Sequence, residues 1–371
     1  MGAAEEFRSL RVGVVGSGWA GRQHLDAYSK IPGVEVTALA SMEADGLTAL
    51  ADEFGVAGRY GRWEDLLEGN HLDALSICAP PHLHAPIAVA ALEAGTHVLS
   101  EKPMALSGDE ARQMADTARK ANRVLQVAFN HRRRGDVKVL KRHIDDGQLG
   151  HIYYAKARWL RRSGIPKGTG WFTSKALAGG GPLTDLGVHM LDIALYLLGE
   201  PRVVSASAAT YAEFGPRQPA VLTGVGGRPP LFDVEDLASA FLRLDGGETL
   251  TLEASWAGYP VLSDRFGVTL FGDRGGAEID VANYSPTDTL RVYQDVGGAP
   301  AEIRPLLPPG GDHREVVAEF VDAIRGGEWE RHRGAEGLAR TRIIDACYQS
   351  ASEGREVTVV TDHLQGEGAD P

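Results

Sequence analysis

The run Gly16-Ser17-Gly18-Trp19-Ala20-Gly21 stands directly after a β-branched stretch and opens an amphipathic one. That context turns a glycine-rich turn into a dinucleotide motif. Gly16 is expected to make the tight turn, Gly18 to let a pyrophosphate reach the backbone, and Gly21 to let the following helix pack closely, with its N-terminus facing the phosphates. An acid that reads a ribose 2'-hydroxyl belongs about twenty positions further on, where the chain has Ser41, Met42 and Glu43. Ser41 tolerates a 2'-phosphate, but no adjacent Arg or Lys neutralises one and Glu43 repels it. The residues lean to NAD over NADP.

Two further groups have types and spacing suited to chemistry. Lys102 ends an apolar run and precedes Pro103, whose ring restricts it to an extended backbone. Strand ends of this kind are where open α/β sheets bind ligands. Asp185 and His189 are four apart and share a helical face, with Asp192 three beyond on a neighbouring part of it. Two carboxylates and a histidine could hold zinc, but the helical zinc motif needs two histidines at i and i+4, so no metal is expected. Asp192 reads as a helix-surface or substrate-contact residue.

The elements that must position these groups follow from periodicity. Strands are predicted at 11–15, 34–40, 73–79, 97–100 and 124–129, alternating with helices at 19–30, 44–54, 85–94 and 108–121. This is an α/β Rossmann domain over residues 1–130. After a helix at 137–146, strands dominate, at 151–160, 203–211, 238–244, 249–256, 265–271, 277–281 and 290–293, interrupted by a helix at 182–198. Helices at 314–324 and 336–352 and a strand at 356–360 follow. Residues 131–360 thus read as an α+β domain with a large, mostly antiparallel open sheet, for substrate binding and oligomerisation, and 361–371 as a polar, frayed tail.

A net charge of -12 opposes broad binding to nucleic acid or anionic lipid, although Arg132, Arg133 and Arg134 form either a solvated surface run or a patch for a phosphate. Two cysteines, Cys78 and Cys347, without paired spacing, fit a reducing cytoplasm. No signal-peptide core or membrane-length apolar stretch is visible.

The segment Ser76-Ile77-Cys78-Ala79-Pro80-Pro81-His82-Leu83-His84, followed by Glu101-Lys102-Pro103, resembles the glucose-fructose oxidoreductase, inositol dehydrogenase and rhizopine-catabolism (Gfo/Idh/MocA) family. The run from Gly179 to Asp192 resembles that family's second signature. Phe129-Asn130-His131-Arg132, Gly147-Gln148-Leu149-Gly150 and residues 350–357 extend the likeness across nearly the whole chain. Ser41 is the departure, and it bears on cofactor choice. The resemblance implies NAD(P)-dependent hydride transfer, a catalytic set of Lys102, Asp185 and His189, and a homodimer or homotetramer formed by sheet packing. Pro80, Pro81 and His84, with Glu101, are expected beside the cofactor, although His84 suits a capping or packing role equally well.

Removing a hydride from a carbinol carbon requires loss of the hydroxyl proton, hence a base and a positive donor on the oxygen. His189 suits the base, Lys102 the donor and Asp185 the control of local charge. Burial could instead make Lys102 the base. Arg161, Trp171 and Phe172, with Asn130 from the earlier landmark, supply the aromatic faces and hydrogen-bond donors that suit a sugar or cyclitol, though core and surface roles suit them as well. Two rival functions use the same residues: reduction of an imine or conjugated substrate, and a non-catalytic dinucleotide sensor.

Overall fold

The computed structural model describes residues 9–166, 170–217, 232–260, 262–327 and 329–360; the predicted tail at 361–371 lies outside them. Six short strands build the first sheet: β1 (Leu10–Val15), β2 (Val34–Ala40), β3 (Gly58–Tyr60), β4 (Ala74–Ile77), β5 (His97–Ser100) and β6 (Leu125–Val127). They pair in parallel in the order β3-β2-β1-β4-β5-β6. The order reverses between β1 and β4, which opens a crevice at their carboxyl ends. Helices α1 (Trp19–Tyr28), α2 (Ala44–Phe54), α3 (Trp63–Gly69), α4 (His84–Glu93) and α5 (Gly108–Ala121) form the crossovers. The spacing finds these elements except β3 and α3. A three-residue strand offers too few apolar positions to show a period.

The glycine motif turns at the crevice as its spacing predicts. Gly16 has φ +114°, and a Cβ there would lie 2.3 Å from the Cys78 carbonyl oxygen. A Cβ on Gly21 would lie 2.0 Å from the Gly16 oxygen, whereas one on Gly18 meets nothing within 4 Å. Gly16 and Gly21 are therefore demanded by the protein's own packing. Gly18 borders open space.

After β6 comes α6 (Gly135–Asp145), then a second sheet with its middle at β7 (Ile152–Leu160). Its further strands are β8 (Val203–Tyr211), β9 (Leu237–Leu244), β10 (Thr249–Ser255), β11 (Arg265–Gly272), β12 (Gly276–Ala282), β13 (Leu290–Val296), β14 (Ala299–Ile303) and β15 (Val357–Thr358). The nine strands run β14-β13-β12-β11-β7-β10-β9-β8-β15, antiparallel except for the pair β7 and β10. One face carries Ala155, Ala157, Trp159, Leu250, Leu252 and Val268, all buried. The buried helix α8 (Val188–Leu197) lies on it, and the short α7 (Lys175–Ala178) precedes α8. β14 escapes periodicity because it is short, largely exposed and contains Pro300.

Of the last long helices, α9 (Asp312–Gly326) and α10 (Ala335–Glu353), the first returns the chain to the first sheet and the second packs between β8 and α5. Val316, Val317, Phe320 and Val321 of α9 pack with Val12, Val14 and Leu25. Although α9 follows the second sheet in sequence, it is part of the first domain's core.

Two expectations about charged residues need correction. Asp192 is 1% exposed and accepts two hydrogen bonds from Arg132, at 2.8 and 2.6 Å, and one from Arg340, at 3.0 Å. It is a buried ion-pair partner, neither surface nor substrate contact. Arg132 also pairs with Glu200 and Glu336, Arg133 with Glu319 and Arg134 with Asp136. The three arginines are neither a solvated run nor an uncommitted phosphate patch, because each is matched by a carboxylate from the fold.

Gly16→Ala and Gly21→Ala are expected to lower stability by about 2 kcal/mol or more, through the left-handed backbone at the first and backbone collisions at both. Gly18→Ala should leave the denaturant midpoint unchanged. Equal midpoints for all three variants would show that the turn relaxes around a Cβ.

Candidate active site

One cavity of about 1560 Å³ runs along the crevice and on into the second domain. Gly16, Ser17, Gly18, Trp19 and Ala20 line one end, with Ser41, Met42 and Glu43 beside them. Pro80, Pro81, Glu101 and Lys102 line its middle, and Asn130, Arg161, Trp171, Phe172, Asp185 and His189 its far wall. Two predicted contacts are absent from this lining. Gly21 serves packing, as its spacing implies. His84 is 1% exposed, its ring nitrogens 2.8 Å from the carbonyls of Pro103 and Ala79, so it braces two loops and does not reach the cavity.

Gly18 is the N-cap of α1, and no side chain caps that terminus. The first-turn amides are thus left to take an anion from the crevice. This terminus and the open space over Gly18 fit a pyrophosphate. At the ribose end the Ser17 and Ser41 hydroxyls are 2.7 Å apart and the Glu43 amide donates to Ser41 Oγ. Arg62, in the loop after β3, lines the same end and lies 3.5 Å from Glu64. That cation was invisible beside Ser41 in the sequence, because strand pairing brings it there.

The candidate catalytic groups come from two domains. Lys102 follows β5, and its peptide to Pro103 is cis. Its Nζ donates to the Asp185 carbonyl at 3.0 Å and to Asp185 Oδ1 at 3.2 Å. Asp185 Oδ2 accepts from the indole of the buried Trp256 at 3.0 Å. Sequence spacing did not reveal Trp256, which lies 71 residues away.

The predicted helix at 182–198 begins as a π-helical turn, Leu183–Gly187, before α8. Such wide turns gather at functional sites. The Glu235 carboxylate holds it, accepting from the amides of Gly181 (2.9 Å) and Leu183 (3.1 Å) and from the Tyr348 hydroxyl (2.9 Å). No local pattern gives this away.

His189 sits in an aromatic nest, its ring centroid 4.5 Å from that of His131 and 5.7 Å from that of Trp159. Burial, then the charge of Lys102, pushes its pKa well below the ordinary histidine value. Burial with Arg134 pushes His131 down to about 3. Both imidazoles are therefore neutral near pH 7. Arg161 donates to Asp264 at 2.7 Å and to the Tyr284 hydroxyl at 3.0 Å, and Trp159 donates to the same carboxylate at 2.7 Å. Trp171 and Phe172 stack 3.7 Å apart. The stretch around Trp159 and Arg161 was readable as part of this wall, but the sequence missed His131 and Tyr284, which only the tertiary packing brings to it.

His24, Glu101 and His313 converge to within 4.8 Å, the one possible metal-ligand cluster among the described residues. Hydrogen bonding accounts for it. Both imidazoles reach Glu101 Oε1 at 3.2 Å, and His24 continues through Ser76 Oγ at 2.9 Å to the Tyr28 hydroxyl at 2.8 Å. Burial pushes the Glu101 carboxyl up, but the hydrogen bonds from His24 and His313 outweigh it and hold it well below the usual range.

Comparison with known proteins agrees with this geometry. Residues 10–129 match the model of an oxidoreductase family described by its NAD-binding Rossmann fold, and residues 141–359 match that family's C-terminal alpha/beta domain. The chain is similar to D-glucoside 3-dehydrogenase of Escherichia coli (strain K12), 33% identical with 96% of this chain and 99% of that protein covered. It is also similar to levoglucosan dehydrogenase of Pseudarthrobacter phenanthrenivorans, 32% identical with 94% and 97% covered. A solved structure of levoglucosan dehydrogenase in complex with NADH and levoglucosan superposes with a TM-score of 0.83, at 26% identity, over 95% of this chain and 100% of that one. With both domain models matched in order, and relatives aligned nearly end to end, the chain belongs to the Gfo/Idh/MocA oxidoreductase family.

Proposed function

We propose that this protein interconverts a secondary hydroxyl and a ketone on a sugar, sugar derivative or cyclitol, with a pyranoside or anhydrosugar as the favoured class. One observation carries the reading: Lys102 and Asp185 meet at 3.2 Å across the two domains, in a cavity shared with the glycine turn and His189. A bound nicotinamide dinucleotide supplies the hydride acceptor or donor. The protein's part is to orient the carbinol, exclude water and move the hydroxyl proton.

Lys102 Nζ polarises the substrate oxygen, Asp185 balances its charge, and Lys102 or His189 takes the proton. Trp171, Phe172 and Trp159 offer faces for the C–H side of a ring, while Arg161 and Asn130 bond its hydroxyls. The names of the sugar dehydrogenases among the relatives support this substrate class. NAD is favoured over NADP because Glu43 opposes a 2'-phosphate, although Arg62 stands near and a relative is named as D-xylose 1-dehydrogenase (NADP(+)). No metal is needed, since hydrogen bonds satisfy the His24, Glu101 and His313 cluster.

A reducing, cytoplasmic setting fits free Cys78 and Cys347, and no helix among the described residues is long and apolar enough to cross a membrane. The outer face of the second sheet, where Tyr154 stacks on Phe271 at 5.2 Å, supports a homodimer or homotetramer. Light scattering that reports a monomer would refute that assembly.

Reduced-nicotinamide absorbance, followed with NAD and NADP separately over a panel of glycosides, anhydrosugars and inositols, should rise with one substrate class and more readily with NAD. Lys102→Ala should then lose roughly 100-fold to 10,000-fold in rate. A protein that binds dinucleotide yet turns over nothing in the panel would point to a sensor. Arg161→Ala and Trp171→Ala are expected to raise KM more than they lower kcat, and an unchanged KM would remove them from the site. Activity should survive dialysis against a chelator; loss restored by a divalent cation would make the histidine cluster a metal site.

A further inference from the structure

Thr184, just before Asp185 on the π-helical turn, lines the cavity together with Gly180. Its hydroxyl is 2.9 Å from that of Tyr348 on α10, a contact in which either oxygen could donate. The neighbours decide the direction. The Glu235 carboxylate can only accept, and it takes the Tyr348 proton at 2.9 Å while also accepting from the amides of Gly181 and Leu183. Burial, then the charge of Glu235, holds the Tyr348 pKa well above the ordinary phenol value, so that hydroxyl keeps the proton it donates. A phenol has one O–H, and Tyr348 has none left for Thr184. Thr184 must therefore donate to Tyr348, which commits its own single proton. Its Oγ1 is left with lone pairs and no proton.

The pair of hydroxyls sits against Gly180. A Cβ on that residue would lie 1.8 Å from the Tyr348 hydroxyl and 2.6 Å from Thr184 Oγ1. Only a glycine there leaves the two hydroxyls room beside the cavity. Arg161 and the Lys102 ammonium bring N–H donors to the same cavity, and neither can accept. Against them Thr184 supplies an oxygen that cannot turn into a donor, because its proton is held, through Tyr348, by a buried carboxylate.

We propose that Thr184 is a specificity-determining residue, whose Oγ1 accepts a hydrogen bond from a pyranose hydroxyl other than the one that is oxidised. The substrate class is thereby narrowed to sugars with a proton-bearing group at that ring position. A deoxy or fluoro carbon, an ether or a carbonyl there has no proton to give and leaves the Thr184 oxygen without its partner. This assignment rests on the sugar dehydrogenase reading above.

Calorimetry of the full chain saturated with NADH measures sugar binding without turnover. The probes are a methyl glucopyranoside and levoglucosan, each with its monodeoxy and monofluoro analogues. At one ring position the deoxy and the fluoro analogue should both bind roughly 10-fold more weakly than the parent, because fluorine accepts but cannot donate. In Thr184→Val, which removes the hydroxyl at nearly constant shape, that difference should vanish, and in Thr184→Ser it should remain. Tyr348→Phe gives a second readout: Thr184 regains a free proton, and the fluoro analogue should bind more tightly than the deoxy one. A wild-type protein that binds every fluoro analogue as tightly as the parent would overturn the proposal. So would equal weakening of all the sugars by Thr184→Val, no gain for the fluoro analogue in Tyr348→Phe, or binding of neither parent sugar. Turnover is scored separately. Parent sugars that bind with the expected pattern but are not oxidised with NAD or NADP would defeat the dehydrogenase reading and leave the role of Thr184 standing.

Discussion

The contact between the Lys102 ammonium and the Asp185 carboxylate is the constraint around which the rest of the molecule is arranged. It joins residues 83 apart in sequence, one at the end of a parallel strand and the other on a π-helical turn of the second domain. Neither group is expected to hold its position by local structure alone. Trp256 fixes the second oxygen of Asp185, and Glu235 fixes the turn that carries it. Both come from the strand and loop region of the second sheet, so the antiparallel domain acts as the jig for the Rossmann lysine.

Buried charge also ties together stretches of chain that are far apart in sequence. Glu101, next to the lysine, accepts from His24 of the first cofactor helix and from His313 of α9. Arg132, just past the first domain's last strand, enters the second domain's helix α8 through Asp192. Such pairs contribute little net stability over an apolar substitute, because desolvation offsets much of the attraction. Their worth lies in direction. A misdocked arrangement would leave a buried carboxylate or guanidinium alone, which is far costlier than a misplaced leucine.

Legibility from sequence varied with the range of the interaction. Helices at 44–54 and 108–121 and strands at 34–40, 97–100 and 203–211 were readable residue for residue, since apolar content and spacing are local signals: the two helices bury one stripe each, and 97–100 is a short apolar run buried throughout. The glycine motif was readable too, because its steric demands fall within six residues. Gly18 borders open space while Gly16 and Gly21 face backbone oxygens, as the division of roles in the motif requires. The site was partly readable: Lys102, Asp185 and His189 were found through a family resemblance, and the cavity gathers them.

What the sequence by itself determined was the order of most elements and the nucleotide turn, both properties of short stretches of chain, and it marked candidate residues for the site. What only the tertiary structure decided was their environment. The three arginines at 132–134 looked alike in sequence, yet each found a different carboxylate. Asp192 looked like a surface acid and became the centre of a buried pair of guanidiniums. The presence of Arg62 near Ser41 and the support of Asp185 by Trp256 likewise depend on neighbours tens of residues away. Electrostatics and hydrogen bonding act through space, and a residue's charge state and partners are set by what packing places within a few ångströms of it.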